Sequence, residues 1–224
     1  AQNNTVSGTN AGDSFSGTDA THNTLVGYNT GTAITTGDKN TAVGSLSLEN
    51  NTTANFNTAV GYSALEENTT SYNTAVGAFA LEANTTGGNN TAVGYSALNA
   101  NTTGTPNTAV GYNALVANTT GSSNVAVGYG ALDANTTGGH NTGIGQAALG
   151  VNTTGLRNVA VGDFSLDANT TANDNIGIGY GALSTNITGT QNTAVGSSAL
   201  LNSTATANTA VGFEALKANT TATH

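Results

Sequence analysis

The residues best placed to do chemistry are asparagines in N-x-T sequons. They stand at Asn51, Asn68, Asn84, Asn101, Asn118, Asn135, Asn152, Asn169, Asn186, Asn202 and Asn219. The asparagine amide is the acceptor for an N-linked sugar, and the third-position hydroxyl is required with it. At Asn186 the middle residue becomes Ile187 and at Asn202 it becomes Ser203, yet Thr188 and Thr204 are kept. That retention points to a role for the threonine. One role is glycosylation, N-linked or on the threonine hydroxyls themselves. The other is packing, with amides hydrogen-bonded from coil to coil and threonines stacked beside them.

Other side chains offer less. His22, His140 and His224 are scattered, and none has a partner at metal-ligand spacing. Glu49, Glu66, Glu82, Asp133 and Asp167 recur at one repeat position, but Asn99, Val116, Gly150 and Lys217 interrupt them. They read as a solvated face rather than an acid–base pair. No lysine follows the glycines, so there is no phosphate loop, and the calcium-binding nonapeptide is missing. Tyr28, Tyr62, Tyr95, Tyr112, Tyr129 and Tyr180 form a column suited to stacking within the protein, with carbohydrate binding as the alternative. No nucleophile, base and orienting group come together, so the sequence predicts neither an enzyme nor a cofactor.

What positions these residues is a 17-residue repeat. Its glycine recurs at Gly27, Gly44, Gly61, Gly77, Gly94, Gly111, Gly128, Gly145, Gly162, Gly179, Gly196 and Gly212, with steps of 17 except two of 16. A period of this size means a solenoid. With the glycine as position 0, position −1 is always Val or Ile and position −2 is Ala or Gly, with Leu25 the exception. Position −3 is Thr, Val or Ile, and position +4 is usually Leu. The two-residue alternation puts −3 and −1 on one face of a strand and −2 on the other. The expectation is an all-β fold, a parallel β-solenoid of about twelve coils over residues 23–224. Its −3 position reads as a partly buried β-branched site, and its small −2 row as a place where another backbone comes close. The glycine is expected at a positive φ or a tight corner. A second asparagine row, from Asn23 and Asn40 to Asn208, is expected to turn the chain and bond along the stack. At about 4.8 Å per coil the rod would measure about 55–60 Å.

Composition narrows the role. Only 7% of residues are charged, and the net charge is −9 with three cations, Lys39, Arg157 and Lys217. Binding nucleic acid or an anionic membrane needs many more. No apolar run approaches a transmembrane helix. Cysteine is absent. The start Ala1-Gln2-Asn3-Asn4 reads as what an export signal leaves after cleavage. The expected place is outside the cell or on its surface.

Asn124–Gly128 and Asn158–Gly162 read N-V-A-V-G, and Asn175–Gly179 reads N-I-G-I-G. These segments resemble the core of YadA-type head repeats from trimeric autotransporter adhesins. That resemblance implies a left-handed parallel β-roll and side-by-side trimers, with the β-branched residues filling the roll and the small one between them lying near a neighbour. The family repeat is shorter, near fourteen residues. The N-T-A-V-G units are similar also to those of phage tail fibres and extracellular tandem-repeat fibrils.

Residues 1–22 depart from the repeat, though Asn4-Thr5-Val6-Ser7-Gly8 is a degraded match. They are expected to form a cap, an arm or a strand donated to a neighbour. His224 falls in phase for a further coil. Head-to-tail contact through Asn4, Thr5, Val6 and Gly8 at one end and Phe213, Leu216, Thr223 and His224 at the other is therefore expected. The leading expectation is a structural subunit of an extracellular homopolymeric fibre, with or without sugar. The alternatives are a trimeric recognition module and an ice-binding solenoid. The last needs an exposed threonine face, and exchange of Thr with Val and Ile argues for partial burial.

Overall fold

The computed structural model describes residues 3–15 and 19–220. Its fold is an all-β parallel β-solenoid of about twelve turns, without a helix among the described residues. It divides into two compact units, residues 1–110 and 111–224. In the first, β1 (Thr5–Ser7), β2 (Thr24–Val26), β3 (Thr41–Val43), β4 (Thr58–Val60), β5 (Thr74–Val76), β6 (Thr91–Val93) and β7 (Thr108–Val110) pair in sequence order. In the second, β8 (Val125–Val127), β9 (Thr142–Ile144), β10 (Val159–Val161), β11 (Ile176–Ile178), β12 (Thr193–Val195) and β13 (Thr209–Val211) do the same. Within each unit pairing is parallel and in register, so Val43 lies beside Val60 and Val159 beside Ile176.

Which face is inside differs from the expectation. Ala42, Ala59, Ala75 and Ala92 are fully buried, while Val26, Val43, Val76 and Val93 are 37% exposed. The interior holds the −2 alanine, the +3 small residue and the +4 leucine; Leu48, Leu65, Leu81 and Leu98 have no exposed surface. Each such leucine contributes about 1.5–3 kcal/mol by leaving water. The leucine occupies the width of the coil, so only a methyl or a hydrogen fits opposite. At Gly143 even an added Cβ would lie 3.3 Å from Leu132 Cγ. The alanine row is thus core, and the Thr/Val face is the outer one.

Leu25 shows the same constraint inverted. It is fully buried in the alanine row, and the +4 position of its coil is Gly31 rather than leucine. A Cβ on Gly31 would meet Leu25 Cδ1 at 3.0 Å and Ile34 Cδ1 at 2.9 Å. Large and small residues have exchanged sides.

Three left-handed corners close each coil. Leu at +4 has φ of 50–55° from coil to coil, and the +2 residue is left-handed too, as at Ser63 and Phe79. The third corner is at −5, as at Lys39, Phe56, Tyr72, His140 and Arg157, with φ between 56° and 67°. Its amide donates to the coil before, as from Phe56 N to Asp38 O and from His140 N to Ser122 O. Pro106 holds this place in one coil, where its ring fixes a negative φ and supplies no N–H. There the Thr105 hydroxyl donates to Gly88 O, the carbonyl that such an amide would reach.

Candidate functional site

The Asn-Thr-Thr row is a buried polar seam. Asn51, Asn68, Asn84, Asn101, Asn118, Asn135, Asn152, Asn169 and Asn186 have no exposed surface. Their Nδ2 groups point inward to the carbonyl three residues on in most coils, as from Asn135 to Gly138 O at 3.0 Å and from Asn84 to Gly87 O at 2.8 Å. The second Nδ2 hydrogen reaches the preceding coil: Asn84 donates to Asn68 Oδ1 at 2.8 Å, and Asn152 to Asn135 Oδ1 at 2.9 Å.

The other asparagine row joins the same seam. Each of its amides carries the next coil's main chain, as where Asn57 N donates to Asn40 Oδ1 at 2.9 Å. Its Nδ2 converges on the carbonyl that the first row uses. Gly138 O accepts from both Asn124 at 2.8 Å and Asn135 at 3.0 Å. Buried amides are costly unless bonded, and here the first row bonds along its own stack, the second carries main-chain amides, and both share carbonyl acceptors.

In this geometry the Nδ2 groups of those nine asparagines face the interior. An N-linked sugar replaces an Nδ2 hydrogen that is buried and, in the continuous stretches of the ladder, bonded. Asn202 never belonged to the row. Counted from Gly196, Ser203 takes the buried place, and Asn202 falls one residue before it and is exposed. Asn219, in the last described coil, is half-buried. The seam has gaps: among the described residues Asn51 Oδ1, Asn169 Oδ1 and Ser203 Oγ have no bonding partner.

The two threonines of each turn differ. In most coils the first is bound to the next coil, as Thr85 Oγ1 to Thr102 O at 3.0 Å and Thr136 Oγ1 to Thr153 O at 3.1 Å. The second, as at Thr103, Thr120, Thr137 and Thr154, is exposed.

Aromatic residues stack on one another. Tyr62 and Phe79 meet edge to face at 5.3 Å, Phe79 and Tyr95 at 5.7 Å, and Tyr112 lies parallel to Tyr129 at 5.3 Å. A second stack runs through the −5 corners, where Lys39 Nζ sits 4.8 Å over Phe56, itself stacked on Tyr72. The acidic column stays half-buried and is used for bonds between coils. Asn99 Nδ2 donates to Glu82 Oε2 at 2.6 Å and Asn29 Nδ2 to Glu49 Oε1 at 3.1 Å. Burial pushes the carboxyls of Asp133 and Asp167 up, whereas the Arg157 guanidinium, bonded at 2.7 Å, holds that of Asp174 down. Among the described residues no group of three or more His, Asp or Glu is placed to hold a metal ion. An open groove of about 410 Å³ in the first unit is lined by Asn10, Asp13, Asn29, Glu49 and Asn50.

At the N-terminal edge, Asn4 belongs to the seam: Asn23 N donates to Asn4 Oδ1 at 2.8 Å. Thr5 and Val6 lie in β1, paired with β2, and Gly8 has the repeat glycine's conformation at φ 131°. Residues 4–8 are therefore the strand of a first coil, and Val6, in register with the buried Leu25 of the inward row, is 42% exposed. In the last described coil Phe213 is 77% and Leu216 52% exposed, although the leucines before it are fully buried. Thr223 and His224 lie outside the described residues.

Comparison with known proteins finds no match among family models, curated proteins or solved structures. No helix among the described residues is long and apolar enough to cross a membrane.

Proposed function

We propose that this protein is a structural subunit of an extracellular fibre that grows by adding coil to coil. The observation carrying this reading is the in-register likeness of successive coils. Most present the same main-chain ladder, asparagine seam and leucine core on both sides. A coil with this pattern is complementary to any other coil with it, including one from a second copy. The acidic, cysteine-free composition suits export to the surface or beyond. Electron microscopy of native material tests it. Uniform filaments with an axial repeat are expected, and monodisperse single particles at high concentration would sink it.

The likeness to YadA-type head repeats favours a trimeric module instead. With the alanine row buried, a lateral contact in such a trimer would have to use the Thr/Val face. The same face favours an ice-binding reading. Thr24, Thr41, Thr58, Thr74, Thr91 and Thr108 form an outward, in-register column beside an equal column of valines. The columns stand about 6.6 Å apart, with about 4.8 Å between successive strands. A regular array of hydroxyls and methyls at such spacings can order water. Thermal hysteresis is the measurement, and its absence removes this reading.

A further inference from the structure

The second threonine of each Asn-Thr-Thr turn is kept without a visible structural reason. Thr36, Thr103, Thr120, Thr137, Thr154 and Thr188 are all exposed. Their hydroxyls make no hydrogen bond among the described residues, whereas the first threonines bond the next coil. In two coils substitution has fallen on the bonded partners and spared the unbonded residue, whereas in the Ser203–Ala205 coil the first threonine, Thr204, is the one kept. At Asn186 the first threonine is replaced by Ile187, and Thr188 remains. In an earlier coil the sequon asparagine itself is replaced by the buried Ile34, and Thr36 remains. Retention of the threonine is therefore separate from both the amide seam and the N-linked sequon. The row lapses at Ala205, in a coil shortened by one residue.

We propose that this second-threonine row is an O-glycosylation site, bearing a column of sugars along one corner of each unit. The donor is a nucleotide- or polyprenyl-diphosphate-linked sugar. The Thr Oγ1–C1 bond forms as the bond from C1 to the phosphate oxygen breaks. The diphosphate leaves with the electron pair, and the hydroxyl proton passes to a base of the transferase. Free primary access and the absence of a competing hydrogen bond make these hydroxyls the available acceptors of the seam, since the asparagine amides beside them are buried. Coils about 4.8 Å apart set the acceptors close, so the sugars would form a continuous strip.

The inference does not depend on the fibre reading, because filaments and sugars are read by separate measurements. Intact mass of the native protein is expected to exceed the 21.9 kDa of the sequence by whole sugar residues. Fragmentation that preserves the glycosidic bond is expected to place them on Thr103, Thr120, Thr137 and Thr154. A mass equal to the sequence, or sugar confined to asparagine or to the first threonines, overturns the proposal. A companion test uses unmodified recombinant protein carrying Thr120→Val, Thr137→Val and Thr154→Val. An unchanged unfolding midpoint is expected. A clear fall would give the row a structural reason to exist and overturn the argument.

Discussion

Gly128→Ala is expected to destabilise the second unit by about 3 kcal/mol or more, read as a lowered midpoint in denaturant or thermal unfolding. Gly128 sits at φ 137°, a region that residues with a Cβ scarcely enter. An added Cβ would lie 2.5 Å from Gly145 O and 2.7 Å from Gly145 C. Those atoms belong to main chain that cannot retreat, because Gly145 is packed in the same way on Gly162, with Cβ-to-carbon distance 2.7 Å. Relief would have to separate two coils, which breaks the ladder and the seam together. Stability in a stack is a sum of neighbour terms, so the defect divides the array rather than softening it uniformly. Gly130→Ala is the control. Its φ is 60°, the nearest atom to an added Cβ is Asp133 Oδ2 at 3.5 Å, and Ser63 and Phe79 adopt that conformation at the same repeat position. Its cost is expected at about 1–2 kcal/mol. Equal effects of the two substitutions would show that the contact to the next coil does not set the requirement for glycine.

The glycine was legible in the sequence because a requirement for no side chain leaves a clean column. The alternation of Thr-Ala-Val was legible too, and it correctly yields two faces. Which face turns inward was not. That depends on the width of the coil, and the width is set by left-handed corners at ordinary leucines such as Leu65 and Leu132. Nothing in a leucine announces a positive φ. One signal was present and would have resolved it: where the alanine row becomes Leu25, the leucine column becomes Gly31. Such an exchange makes sense only if both columns share one interior. The seam was half legible. Asparagine is ordinarily a surface residue, so a row of it reads as turn or glycan acceptor until the convergence of two rows on one carbonyl is seen. Counting from Gly196 places Ser203, not Asn202, in the buried column, so that misplacement was avoidable.

Asn135→Asp tests the seam most directly. In the native protein Asn135 Nδ2 donates to Asn118 Oδ1 at 2.9 Å and to Gly138 O at 3.0 Å, and its Oδ1 accepts from Asn152. Aspartate keeps the shape and the accepting oxygen. It replaces both donated hydrogens with an oxygen facing two other oxygens, at a site with no exposed surface. Loss of the bonds together with an uncompensated buried charge is expected to cost about 3–5 kcal/mol near neutral pH. Burial and the facing oxygens both disfavour the ionised carboxyl, so its folded pKa lies above the unfolded value of about 3.9. The sign follows: the folded state binds the proton more tightly than the unfolded one. The variant is therefore least impaired below about pH 4 and loses up to about 1.4 kcal/mol per pH unit as pH rises toward the folded pKa. Protonation also returns one donor to the seam. Asn135→Ala removes the same bonds without a charge, so its deficit is expected to stay constant with pH. Denaturant midpoints of both variants between pH 4 and 8, each referred to the parent protein, separate the two. A pH-independent deficit in Asn135→Asp would mean that water reaches the carboxyl, and the seam would then be an exposed row instead of the buried spine that joins coil to coil.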